Sequence, residues 1–130
     1  MDSMFKNNKA FSSLAVDDIK KAKEFYGQTL GLDVDERPEG LTLHIDRNTE
    51  VFVYRPGQFS APKNTVLNFI VDDIEAAVHE LGHQGIRMEQ YDMPSLKTDA
   101  KGIARGSVGP KGIAWFKDPA GNILSVIQEK

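Results

Sequence analysis

Val16-Asp17-Asp18-Ile19 returns later in the chain as Val71-Asp72-Asp73-Ile74. Each copy follows an apolar strand pattern and precedes a helical one, which is the mark of one supersecondary unit used twice. Upstream of the first copy, Leu14 and Val16 alternate with small residues. Upstream of the second, Leu67, Phe69 and Val71 alternate with Val66, Asn68 and Ile70, a strand with two unlike faces. Downstream, Ile19, Ala22, Tyr26 and Leu30 form a helical stripe that Gly31 stops, and Ile74, Ala77, Val78 and Leu81 form a second that ends near Gly82 and Gly85. An Asp at the cap position accepts from free backbone N–H groups and complements the positive helix end, so the double Asp reads as helix capping. Asp72 and Glu75 are spaced as a capping-box-like pair.

Each helix is followed by three strand candidates. In the first half they are Leu32 to Arg37, Leu41 to Asp46 and Val51 to Arg55, separated by Pro38-Glu39-Gly40 and Asp46-Arg47-Asn48. In the second half they lie near Ile86 to Gln90, Gly112 to Lys117 and Asn122 to Gln128. The expected fold class is α+β, with a βαβββ order repeated. One domain over residues 1–130 would hold module one at about 11–55, a linker at about 56–64 and module two at about 65–128. The polar stretch Tyr91 to Lys111, with Gly102, Gly106, Gly109 and Pro110, reads either as a lid or binding loop or as a floppy hairpin extension.

The composition narrows the function. With 130 residues the chain can bury a core without disulfides or structural metal. It has no cysteine, which removes thiolate zinc sites and cysteine nucleophiles and favours an intracellular, cytoplasmic location. No apolar run has the length of a membrane helix, and Met1 to Phe11 lacks the apolar core of a signal peptide, so no membrane association is expected. Sixteen Lys+Arg are interspersed with nineteen Asp+Glu for a net charge of -3, leaving no footprint for nucleic acid.

With the repeat established, the sequence resembles the vicinal oxygen chelate superfamily of glyoxalases, bleomycin resistance proteins and extradiol dioxygenases from Phe11 to Gln128. The segment Phe11 to Asp18, then Ala22, Phe25-Tyr26 and Leu30-Gly31-Leu32, is similar to the family's opening strand, helix and "FY…LG" signature. Phe116-Lys117-Asp118-Pro119-Ala120-Gly121-Asn122 is similar to its closing F-x-D-P-x-G-N turn. The resemblance implies two βαβββ modules whose mixed sheets curl into a cup, and a homodimer. In metal-dependent members His, Gln or Glu on the concave face hold a divalent ion that polarises substrate oxygens. Those ligand positions fall here on Phe11, Val66, Ser125 and, near the fourth strand, Phe52. Only one weak oxygen stands where four N/O ligands are required, so the expectation is a protein without metal or other cofactor.

Alternation from those positions turns Phe11, Ser13, Ala15, Val66, Asn68, Ile70, Ile123, Ser125 and Ile127 to the concave face. Leu41, Leu43 and Ile45 pack under the helix, which sends Thr42 and His44 to the cup beside Phe52 and Tyr54. The expected ligand pocket is Phe11, Ser13, His44, Phe52, Tyr54, Val66, Asn68 and Ser125. It is an aromatic-lined site with few polar handles that suits a small apolar or aromatic molecule. The same side chains would equally serve as core or as a dimer interface. No catalytic residue is assigned. His44 is the best general acid/base candidate and Asp46 its nearest carboxylate in sequence, with a buried structural histidine as the other reading. The alternative function is a metal-dependent lyase or dioxygenase using a non-standard divalent-metal site that includes His44.

His79-Glu80-Leu81-Gly82-His83 matches the H-E-x-x-H zinc-protease pattern, but it lies opposite the Ile74, Ala77, Val78 and Leu81 stripe, on the solvent side, without a third ligand. A surface ion site fits that context better than a protease. The facing of Trp115 is undetermined, because Ile113 and Phe116 are both apolar. Arg105 reads as a solvated loop cation or as a partner for an anionic ligand.

Overall fold

The computed structural model describes residues 3–106 and 109–130. Loop residues Ser107 and Val108, inside the expected Tyr91–Lys111 stretch, lie outside the described residues. The chain divides into two compact units, Met1–Phe59 and Ser60–Lys130. Unit 1 contains β1 (Ser12–Ala15), α1 (Ile19–Lys23) continuing as a π-helical turn (Glu24–Thr29), β2 (Asp33–Arg37), β3 (Gly40–Asp46) and β4 (Thr49–Tyr54). Unit 2 contains β5 (Thr65–Ile70), α2 (Ile74–His83), the small hairpin β6 (Asp92–Met93) and β7 (Leu96–Lys97), β8 (Ile103–Ala104), β9 (Gly112–Lys117) and β10 (Ile123–Gln128).

The two sheets have one design. Unit 1 is ordered β1-β4-β3-β2 and unit 2 β5-β10-β9-β8. In each, the first and last strands pair in parallel and the remaining neighbours are antiparallel. The fold is therefore α+β, two open four-stranded mixed sheets; the repeated tetrad implied the duplication and the family resemblance the mixed sheets.

Both helices start on the second Asp of the tetrad. Asp18 is extended (φ -147°, ψ 106°) and its side chain accepts from Lys21 N at 3.1 Å; Asp73 (φ -138°, ψ 106°) accepts from Ala76 N at 3.2 Å. This corrects the expected Asp72–Glu75 capping box: with Asp73 as the cap, Glu75 cannot reach back to it. Its carboxylate instead takes Lys101 Nζ at 2.7 Å and Arg105 Nη2 at 2.5 Å. These bonds, Lys101 above all, hold Glu75 below the usual carboxylate range. α2 ends in a Schellman turn, with Gly85 at φ +83°, its N–H donating to Gly82 O and Ile86 N–H donating to Leu81 O. In unit 1 the π-helical turn coincides with burial of both Phe25 and Tyr26, whose rings meet edge-on at 5.1 Å.

The side of each sheet that faces its helix forms the core. In unit 1 it carries Leu14, Val16, Leu41, Leu43, Val51 and Val53, and in unit 2 Ile103, Ala114, Phe116, Leu124 and Val126 under Ile74, Val78 and Leu81. Leu41 and Leu43 pack as expected, while Ile45 is only half-buried.

Unit 2 differs from expectation at its edge. Ile86–Gln90 forms no strand; Glu89 joins it to the sheet, its N–H donating to Trp115 O at 2.8 Å and its carboxylate 3.5 Å from Lys117 Nζ. The edge position is completed by β8, opposite Ile113 and Ala114. Between these two pieces the chain extrudes the β6–β7 hairpin. The Asp99 carboxylate then turns it back by accepting from the Lys101 and Ile103 N–H groups, which lowers the Asp99 pKa. Residues 91–103 are thus tied together by named bonds, with the hairpin form of the two readings present in β6–β7.

Candidate functional site

Ladder register shows what shares the face of each sheet turned away from its helix. In unit 1, Ser13 pairs with Phe52, Ala15 with Tyr54, Thr42 with Phe52 and His44 with Glu50. Since alternate residues share a face, these side chains lie together with Phe11 and, on β2, Asp33, Asp35 and Arg37. In unit 2 the same operation collects Asn68, Ile70, Ser125, Ile127, Ile113 and Trp115. Trp115 therefore faces the Ser125 side, and Tyr91 meets it edge-on at 5.5 Å.

Phe52 in unit 1 and Ser125 in unit 2 occupy equivalent ladder positions, opposite Ser13 and Asn68 respectively. Phe11 and Val66 stand two residues before those partners. The four positions to which the resemblance assigns metal ligands are therefore matched within each sheet, and they hold Phe, Phe, Val and Ser. Three have no donor atom. The fourth, Ser125, is fully buried and its hydroxyl donates to Asn68 Oδ1. These residues do not fit a divalent ion, and among the described residues no group of three or more His, Cys, Asp or Glu is placed to hold one.

The face of unit 1 turned away from its helix offers an aromatic wall instead. Phe52 and Tyr54 are stacked, with centroids 6.1 Å apart and rings 6° from parallel, and Phe11 meets Phe52 edge-on at 6.4 Å. Phe11 is 66% exposed and Tyr54 38%, so the wall is open to solvent. A cavity of about 380 Å³ lies against it, lined by Phe11, Arg37, Glu39, Thr42, Glu50 and Phe52. That is within the size range of small-molecule sites, and charged groups at the rim of an apolar floor are the usual means of orienting a ligand. Arg37, Glu39 and Glu50 were not singled out from sequence. The signal was available in the Pro38-Glu39 turn, because a two-residue connection puts Arg37 opposite Gly40 and fixes the β2–β3 register.

His44 lies beside this wall. Its Nε2 is 2.8 Å from Asp35 Oδ2, and its Nδ1 is 3.9 Å from Glu50 Oε1. The Asp35 hydrogen bond raises the imidazole pKa above its ordinary value, with Asp33 and Glu50 adding to the effect. The orienting carboxylate is thus Asp35, while Asp46 accepts from Asn48 N–H in its own turn, which lowers its pKa. With both nitrogens facing carboxylates, His44 is suited to act as a cationic donor more than as a base.

In unit 2, Val66 is half-buried beside the irregularity in the β5–β10 ladder, and Asn68 is exposed and takes the Ser125 hydroxyl. Arg105 is occupied by Glu75, with Asp99 at 3.8 Å. The F-x-D-P-x-G-N segment proves structural: the buried Asp118 carboxylate accepts from the Ala120 and Asn122 N–H groups and from Asn122 Nδ2, closing the β9–β10 turn with Gly121 at φ +93°.

Comparison with known proteins agrees with this geometry. The structure is similar to that of a glyoxalase family protein from Enterococcus faecalis, with 26% identity, a TM-score of 0.66, and coverage of 96% of this chain and 100% of the other. It is also similar to TnmS3, an antibiotic binding protein from Streptomyces sp. CB03234, with 23% identity, a TM-score of 0.68, and coverage of 98% and 100%. UcmS2 shares the fold at 18% identity with a TM-score of 0.72, covering 96% and 100%. The search of curated proteins gave no match. Residues 10–126 match the family model of the Glyoxalase/Bleomycin resistance protein/Dioxygenase superfamily, and the chain belongs to that superfamily.

Proposed function

We propose that this protein binds a small, largely apolar or aromatic molecule without a metal, as a homodimer in the cytoplasm. The observation that carries the reading is the aromatic wall of Phe11, Phe52 and Tyr54 against an open cavity, built where metal-dependent relatives keep ligands. An exposed aromatic surface of this kind gains free energy when a flat apolar molecule covers it, and ring stacking adds to the area term. The fold shared with an antibiotic binding protein supports a binding role. The absence of cysteine supports the location, and the homodimer rests on family resemblance.

A thermal-shift screen of planar aromatic and polycyclic compounds tests the reading. A ligand held only by the native state at a hundred times its dissociation constant stabilises it by about 2.7 kcal/mol. The expected result is at least one saturable shift that Phe52→Ala reduces to near zero. A screen without shifts, or shifts indifferent to Phe52→Ala, would remove the proposal. Metal analysis addresses the lyase or dioxygenase alternative, which requires a tightly held ion lost in His44→Ala.

A further inference from the structure

One sequence motif has no part in the aromatic site. His79 and His83 stand one helical turn apart on α2, both exposed, with ring centroids 4.7 Å apart and planes at 80°. They border a shallow notch with Val78 and Gly82, and a Cβ at Gly82 would meet nothing within 4 Å, so the approach to both rings is open. The geometry points to a two-histidine chelate for a divalent transition-metal ion, with copper(II), nickel(II) or zinc(II) as the chemical class.

Histidines at i and i+4 share a helix face, and their exposed side chains can turn one nitrogen each toward a common point. A metal–imidazole bond of about 2 Å requires the two nitrogens about 3 Å apart. Rings already 4.7 Å centroid to centroid reach that by side-chain rotation alone, without moving the helix. Imidazole suits ions of this class, and the ordinary order of affinities puts copper(II) tightest. The H-E-x-x-H pattern does not extend to a protease. The face opposite the histidines is the packed one, with Ile74, Val78 and Leu81 buried, and Glu80 is taken up by Gln84 Nε2 at 3.4 Å. With no group of three ligands among the described residues, two coordination positions or more stay with water, and the ion exchanges freely.

Metal-free protein titrated with copper(II), nickel(II) and zinc(II) by calorimetry tests this, with proton NMR following the histidine rings. One ion should bind, copper(II) most tightly, and broaden the His79 and His83 ring signals before that of His44. His79→Ala or His83→Ala should weaken binding about tenfold or more, because a chelate's second bond forms at high effective concentration. A pair of changes that keeps the histidine count, His83→Gln with Gln84→His, should weaken it similarly by breaking the i,i+4 spacing. An affinity left unchanged by either single variant or by the respaced pair overturns the site, as does the absence of saturable binding or a loss confined to His44→Ala. Ring broadening in the unmodified protein keeps the test decisive if a variant misfolds.

Discussion

The two sheets share strand order and ladder register, yet the faces turned away from their helices are finished in opposite ways. In unit 1 the position opposite Ser13 holds Phe52, and the face is an open aromatic wall. In unit 2 the equivalent position opposite Asn68 holds Ser125, whose hydroxyl is fully buried and bonded, while the aromatic bulk has moved across the ladder to Trp115 with Tyr91 against it. The backbone decides where a side chain points, and the residue type at a few matched positions decides what chemistry points there. A duplicated frame can therefore keep its ladder and diverge in its site.

The largest expected contrast lies in the frame. Gly40 opens β3 at φ +155°, and a Cβ there would collide with the carbonyl oxygen of Val53 on the neighbouring strand. Gly112 opens β9, and its Cβ would press closest on two side-chain methyls, Ile74 Cγ2 at 3.1 Å and Ile103 Cγ2 at 3.3 Å. Backbone cannot yield without breaking the ladder, whereas methyls can shift by tenths of an ångström. Gly40→Ala should cost about 3 kcal/mol or more and Gly112→Ala about 1 kcal/mol in urea unfolding. Equal costs would mean that the β3–β4 contact relaxes as easily as a packed side chain does.

A smaller difference separates the matched residues themselves. Ser125→Ala removes a buried hydroxyl from Asn68, and the expected loss is about 1 kcal/mol. Asn68→Ala should cost a similar amount, and the double variant less than the sum, since the two changes delete one shared bond. Strict additivity in chemical denaturation would show that the pair contributes nothing as a pair. Phe52→Ala should differ in kind, costing about 1–2 kcal/mol through its lost ring contacts and abolishing aromatic ligand binding as well.

How much of this was legible in the sequence depends on the distance over which each feature is determined. The tetrad, the helix stripes and the Asp118–Asn122 turn are local, and they gave the order of elements and the α+β class. Strand facing followed from alternation once the family resemblance had set the concave positions, which put Phe11, Phe52 and Tyr54 on one face. The second-half edge could not, because Ile86–Gln90 and Ile103–Ala104 share one sheet position across an inserted hairpin, and pairing over such a gap leaves no periodic trace. Asp35 was missed as the partner of His44 for a similar reason. Asp46 is nearer in sequence, but Asp35 is nearer in the sheet, one strand over and two residues along from Asp33, the direct ladder partner of His44.

That misassigned pair supplies the finest test, because it distinguishes a histidine set by its neighbours across the ladder from one left to solvent. The groups facing His44 are Asp35, Glu50 and Asp33, all acidic, and the hydrogen bond to Asp35 raises the imidazole pKa in the folded state. A raised folded pKa means that protonation favours the folded form. The contribution is therefore fully present below the unfolded value of about 6.5 and disappears as pH rises through the higher folded value. The pair is exposed, so its effect on stability is small. The sensitive measurement is the ring-proton titration of His44 by NMR. Its midpoint should lie above that of an unstructured histidine and fall in Asp35→Asn, whereas Asp46→Asn should leave it nearly in place. A midpoint that follows Asp46 instead would return the histidine to its neighbour in sequence and detach it from the strand beside it.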